Sequence, residues 1–289
     1  MGVIKTELLS TKNYVKMKRS TVILILPLMV IAHTVFFSCK SRSGAGEQKK
    51  VELEQVKALE NQIEANVYPL PTSASVIRML SELEIGYIIG ISNPVEKAGK
   101  YFSSASRAAN LGVYGADLSY ATLYNMQQEV INYLNTIRAI ANELNMSKIY
   151  DEGLYENIKK NYDNREELVK ILSKAFNDSY AYLSENNQQT LALLVVGGAW
   201  VEGMYLTTHV SDAAYRVAGI SKVLLEQKKS FEVFLNITGP YMNDPMVGDF
   251  VKMLDPVKEV YKGIGTSLTD KNIIDITGAI EVVRAKIIQ

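Results

Sequence analysis

Along most of the chain, apolar residues recur every three or four positions, the spacing of one face of an α-helix. Between residues 47 and 67 they fall at Val51, Leu53, Val56, Leu59, Ile63 and Val67 with charges between them, which predicts an amphipathic helix. Tyr68-Pro69-Leu70-Pro71 ends it, and Thr72 or Ser73 can cap a second helix carrying Ile77, Leu80, Leu83 and Ile85. Asn93-Pro94 marks another stop, and the pattern over 103–144 predicts helix with a break near Tyr124-Asn125. A helix over about 147–162 comes next. Asn164-Arg165-Glu166-Glu167 reads as a capping box opening a helix to Leu183, because Asn can accept from the third amide and Glu167 can reach back. The strongly apolar stretch 187–210 is followed by helices near 213–226, 228–236, 245–264 and 271–288. No segment alternates apolar and polar residues with strand-type turns. No fixed repeat length supports a regular solenoid. The expectation is an all-α fold, a single multi-helix bundle or irregular α–α array of about ten helices spanning residues 51–289.

The N-terminal region follows a different pattern. Thr21 to Ala32 is a twelve-residue apolar run, TVILILPLMVIA, preceded by Lys16, Lys18 and Arg19, the charged and apolar regions of a secretory signal. It leads into Phe36-Phe37-Ser38-Cys39, with a small residue before the cysteine. This resembles the lipobox of bacterial lipoproteins, although Phe36 stands where an aliphatic residue is usual. The resemblance implies cleavage before Cys39 and acylation of its thiol. Residues 1–38 then form the signal peptide, with Met17 a more ordinary start than Met1, and residues 39–50 form a lipidated, flexible tether. The competing reading is an uncleaved anchor, for which the eighteen residues from Thr21 to Ser38, interrupted by Pro27, His33 and Thr34, are at the short limit. An acidic residue directly after Cys39 and an acidic tract beyond it are both absent, which favours the outer membrane facing the periplasm. The partners expected are the membrane, through the lipid, and another envelope protein.

Composition changes its meaning once the leader is set aside. The whole chain has 289 residues, 31 basic against 31 acidic, one cysteine and two histidines. Without residues 1–38, which hold five basic residues and Glu7, it has 26 basic and 30 acidic residues and a net charge of −4. A mildly acidic chain lacks the basic face of a nucleic-acid binder. With Cys39 acylated, His209 is the one remaining imidazole and no thiol is free. Zinc sites built from several Cys or His, cysteine nucleophiles and redox pairs are thereby excluded. No phosphate-loop, dinucleotide, zinc-protease or serine-hydrolase motif occurs, so no cofactor or metal is expected.

Two helices stand apart. Ala105, Ala109, Gly112, Ala116 and Ser119 form a small-residue stripe on one, and Gly197, Gly198, Ala199 and Gly203 cluster on the other. Glycine permits close backbone approach, so the stripes indicate either two helices packed together or a groove in which a ligand replaces missing side chains. Polar residues lie on the same helices: Glu202, Tyr205, His209 and Asp212 at spacings of three, four and three, and Tyr114, Asp117, Ala121 and Tyr124 in the same rhythm. One reading is an acid–Tyr–His pocket with Asp117, Glu202 and His209 as acid/base groups and Tyr114, Tyr124, Tyr205, Gly112 and Gly198 lining it. The other is a satisfied polar network that fixes helix register. The two part on geometry, because an active site must be open to solvent. The apolar run from Leu191 to Val201 reads as a central buried helix rather than a membrane span. Most of the sixteen tyrosines outside the leader fall among Leu and Ile at helical spacing and read as half-buried packing.

The Tyr68-Pro69-Leu70-Pro71 entry and the run from Leu111 to Tyr120, LGVYGADLSY, resemble an all-helical group of Bacteroidetes lipoproteins. The resemblance covers most of the chain after Cys39. It implies an all-α fold and transfers no catalytic residues.

Overall fold

The structure, a computed structural model, describes residues 86–210 and 218–289. The leader with Cys39, the first two predicted helices, Asp212 and the start of the helix expected from residue 213 lie outside the described residues. Nine α-helices and two short 3-10 helices, at Val95–Lys100 and Gly239–Tyr241, make up the described part, with no strand among its residues. The α-helices are α1 (Ser104–Leu123), α2 (Gln127–Glu143), α3 (Glu152–Lys160), α4 (Arg165–Glu185), α5 (Gln189–Val210), α6 (Ala218–Thr238), α7 (Pro245–Met253), α8 (Asp255–Lys262) and α9 (Asp270–Ile287). The expected all-α array is what forms.

Helix α5 sits at the centre. It packs along α1 and also meets α4, α7 and α9, which is why its sequence is apolar on every side. Gln189–His209 is long and apolar enough to cross a membrane, yet most of it is buried inside the protein. Trp200 lies in this core, stacked on Phe231 at 4.8 Å, and its indole N–H donates to Gln227 Oε1 at 3.2 Å. Gln227 therefore faces inward in the middle of α6. The break expected between 226 and 228 is absent, and one helix runs through to Thr238.

Helix ends follow local chemistry. Ser103, Asp151, Asn164, Asp244 and Thr269 each accept a backbone N–H from the first turn that follows. At Asn164 only half of the expected capping box forms: its side chain accepts from Glu167 N, while the Glu167 carboxylate pairs with Lys170. The helix expected from 147 starts later, because Asp151 supplies the cap and residues 147–150 form turns. The helix expected over 245–264 is two helices. Pro256 has no N–H to donate to the preceding turn, so the chain restarts as α8 after Leu254. Asn125, Asn145 and Asn187 take positive φ of 54°, 61° and 58° directly after α1, α2 and α4. Each is followed by an N–H bonding five residues back, as in Met126 N to Ala121 O, so three helices share one left-handed Asn cap.

Residues 88–101 form a strap alongside α1. Ile88 N donates to Tyr120 Oη at 3.0 Å, Asn93 N to Asp117 Oδ2 at 3.1 Å, and Tyr114 Oη to the Pro94 carbonyl at 2.9 Å. The strap also closes the C-terminal end of α9. Lys97 Nζ donates to Ile288 O, and buried Asn110 of α1 donates to Ile287 O, so two terminal carbonyls gain partners.

Candidate functional site

The two glycine-rich helices are α1 and α5, and they pack directly on each other. A Cβ at Gly112 would stand 2.0 Å from the Val195 carbonyl oxygen, and one at Gly198 would stand 1.9 Å from that of Ala109. The space beside both glycines is thus filled by the opposing backbone. These positions do not open a groove for a ligand, and close packing is the reading that fits. On the next residue, Gly197, the missing Cβ makes room for the Phe250 ring of α7.

The same helices also bring two acids together. Asp117 and Glu202 are both fully buried. Glu202 is held by Arg284 of α9 in a two-pronged contact, Nε to Oε2 at 2.6 Å and Nη2 to Oε1 at 2.7 Å. Arg284 Nη2 also donates to the Ile91 carbonyl of the strap at 3.2 Å. Burial works against the Arg284 charge, but the hydrogen bonds and charge of Glu202 outweigh it and raise the guanidinium further above its ordinary range. Asp117 has no cation of its own. Its Oδ2 accepts from Asn93 N, and its Oδ1 meets no N–H or hydroxyl donor. Burial pushes its pKa well above the usual carboxylate range, the negative Glu202 adds to this, and Arg284 opposes it less strongly. A proton on Asp117 accounts for both observations, since the acid can then donate to Glu202. The cluster is best described as a neutral acid, a carboxylate and a guanidinium, with no net charge.

From this cluster a row of rings leads outward. The Arg284 guanidinium carbon lies 3.8 Å from the centre of the Tyr205 ring, a cation–π contact. Tyr205 in turn lies 3.9 Å from the His209 ring. His209 Nδ1 is 2.8 Å from the Tyr205 carbonyl, and Nε2 is 2.8 Å from Glu281 Oε1. Only the His209 end of the row reaches solvent, with 18% of that side chain exposed. Asp117, Glu202, Tyr205 and His209 are therefore connected, but the two acids are sealed and the imidazole is at the rim.

The remaining candidates take other places. Tyr114 is buried against Tyr101 and Tyr133, with its hydroxyl on the strap, and burial raises its pKa. Tyr124 packs edge-on against Tyr87 and Tyr120, and burial there pushes its pKa up to about 12. An open groove of about 570 Å³ lies between α3 and α4, floored by Ile149, Leu154, Ile171 and Ala175, and none of the candidate residues lines it. Among the described residues, no three His, Cys, Asp or Glu side chains gather as a metal site requires.

Arg284 is the member that sequence reasoning missed. A signal was available, because it lies four residues after Ile280 and one after Val283, on the side of α9 that also carries Ile273, Ile276 and Ile287. A lone cation on that face required a buried anion.

Acid/base catalysis needs a group within hydrogen-bond reach of a substrate proton, and Asp117 and Glu202 expose no surface to one. What the arrangement does, as built, is tie the strap, α1, α5 and α9 in one register. Comparison with known proteins returns no matching family model, no similar curated sequence and no similar solved structure.

Proposed function

We propose that this is a lipid-anchored protein of the bacterial envelope, held to the membrane through Cys39 and facing the periplasm, whose helical body binds or scaffolds an envelope partner. The observation that carries the anchor is the order of Lys16, Lys18 and Arg19, the apolar run to Ala32, and Phe36-Phe37-Ser38-Cys39, in a chain with no second cysteine. Several acyl chains on that cysteine would hold stably, since a single chain binds only marginally. A binding role is favoured over a reaction because the body's buried acids are already engaged: Glu202 by Arg284, and Asp117 by Asn93 and Glu202.

Mass spectrometry of the chain isolated from bacterial membranes tests the anchor. The expected N-terminus is acylated Cys39, and a Cys39→Ser chain should lose that modification and the cleavage. A mature protein beginning at an unmodified Met1 or Met17 would overturn the reading. Crosslinking in intact envelopes, comparing the wild-type chain with variants of its exposed residues, tests the binding role. A reproducible envelope partner lost on surface substitution is expected. Turnover of any substrate that depends on Glu202 or His209 would instead favour the enzyme reading.

A further inference from the structure

The two most exposed large apolar side chains among the described residues are Ile89, 88% exposed, and Phe102, 80% exposed. Both lie on or at the end of the strap that precedes α1. The inward side of the strap is Ile91, Ser92, Asn93 and Tyr101, all buried against the body. Its outward side is what remains, including Ile89, Lys100 and Phe102. Lys97 adds a second cation beside it, although part of its reach is committed to the Ile288 carbonyl, and Glu96 is the one acid between Ile89 and Phe102.

An isoleucine and a phenylalanine held almost fully in water, on a segment pinned from behind, are costly for a surface with no partner. Each would gain roughly 1.5–3 kcal/mol on complete burial. The pinning is rigid: three hydrogen bonds to α1 and one from Arg284 fix the strap. The exposure is therefore built in and is not a loose end.

We propose that the outer side of this strap is a membrane-contact face, with Ile89 and Phe102 entering the lipid interface and Lys100 meeting anionic headgroups. Its occupant is a lipid surface, chosen for where the chain comes from. The strap is the first described segment after Cys39, and 46 residues separate Cys39 from Gly86, so the anchor delivers the bilayer to this side of the sequence first. Apolar side chains beside a lysine are also the composition of an interfacial contact, in which the ring or aliphatic chain sits at headgroup depth and the cation binds phosphate. The other exposed apolar stripe, Ile274 and Val282 on α9, is less exposed at 61% and 50%, and lies near the C-terminal end of the chain. The proposal deepens the anchored reading: a body docked by this face would hold its opposite side toward the periplasm.

The test uses the native tryptophan background. Trp200 is the only tryptophan and is 2% exposed, so it gives a constant, lipid-insensitive signal. Full-length Phe102→Trp chain in vesicles of phosphatidylethanolamine and phosphatidylglycerol should show blue-shifted emission and quenching by lipids that carry a quencher on the acyl chain. Ile89→Trp should behave alike. Ile274→Trp is the control and should keep the red emission of a solvent-exposed indole. Adding Lys100→Gln to Phe102→Trp should weaken the contact about five-fold. Unquenched, red emission from Phe102→Trp would overturn the proposal, as would equal quenching of Ile274→Trp, which would signify general stickiness. The anchor is read separately, by the mass of the N-terminal peptide. An unmodified Cys39 with quenched Phe102→Trp sinks the anchor alone, and acylated Cys39 with unquenched Phe102→Trp sinks the contact face alone.

Discussion

The α1–α5 pair solves one problem in two ways. Around Gly112 and Gly198 the helices meet by having no side chains, and each backbone fills the other's gap. Further along the same helices, at Asp117 and Glu202, they carry acidic side chains into the core and neutralise them there with a proton and with Arg284. The first contact is dry and needs nothing outside the pair. The second is complete only when α9 and the strap are in place, because Arg284 and the Asn93 amide come from those elements. The glycine region thus sets how close the two helices are, and the acid region sets what else must assemble around them. This difference is physical and measurable, since packing and charge satisfaction respond to different substitutions.

The largest effect belongs to the glycine region. Gly198→Ala or Gly112→Ala places a methyl group about 2 Å from a carbonyl oxygen that is fixed in a helix. The gain in helix propensity, about 1 kcal/mol, is far smaller than the cost of parting the two helices. Destabilisation above about 4 kcal/mol, or failure to fold, is expected in chemical denaturation. Gly278→Ala on α9 is the matched control. A Cβ there meets nothing within 4 Å, and a stabilisation of about 0.5–1 kcal/mol is expected. A mild Gly198→Ala would mean that the close approach is not required.

Breaking the acid region comes next. Glu202→Gln leaves Arg284 charged and buried without its counter-ion, and a loss of about 3–5 kcal/mol is expected. Replacing both partners with apolar residues, Glu202→Leu with Arg284→Met, should recover most of that loss, because neither charge remains to be satisfied. Equal losses in the single and double variants would show that the pair acts through shape and not through charge.

Much of this plan was legible in the sequence. The small-residue stripe on α1 and the glycines of α5 pointed to a close approach, and that is where the backbones meet. The left-handed break at Asn125 was readable too, and the same chemistry at Asn145 and Asn187 used the same residue type. Local hydrogen bonding sets these features, so a short window of sequence contains them. The Glu202 partner was not legible in that way. It lies 82 residues further along, and periodicity reveals which face of α9 is buried without saying which anion it meets. Exposure was hidden for the same reason: spacing placed Glu202 and His209 on one face, while the depth of each depends on the strap and α9. The misread ends have local causes. Pro256 breaks a helix whose apolar pattern runs on past it, and Gln227 continues one because its amide reaches Trp200.

Asp117 sharpens the comparison through pH. Its folded pKa is raised above the ordinary value of 3.8, so the folded chain keeps a proton that the unfolded chain releases. Stability therefore falls as pH rises from about 4 toward the folded pKa, opposite to the behaviour of a salt-bridged carboxylate. Asp117→Asn mimics the neutral acid, since its amide can donate to Glu202 and accept from Asn93. It should fold normally, remove this part of the pH slope, and equal or exceed the wild type at neutral pH. Asp117→Leu, with no acceptor for the Asn93 amide, should cost about 1–3 kcal/mol. Denaturation across pH 4 to 8 reads both outcomes, and an Asp117→Asn chain with an unchanged slope would place the proton elsewhere.

The smallest effect is expected at the rim, where the row of rings meets water. His209 bonds Glu281, whose side chain is 54% exposed, and solvent screens such a contact. His209→Gln removes the ring from Tyr205 but retains an amide able to reach a carbonyl or a carboxylate. A change below about 1 kcal/mol is expected. Tyr205 is under more constraint, since its ring faces Arg284 as well as His209. The comparison to make is therefore His209→Gln alone against His209→Gln with Glu202→Gln. If the rim is independent of the buried acids, the two losses add. If His209 helps hold Tyr205 against Arg284, removing Glu202 first will make the loss of His209 smaller, because the guanidinium will already have left its place. Additivity would make His209 a surface contact beside the network, and a shortfall would make it the network's outermost member.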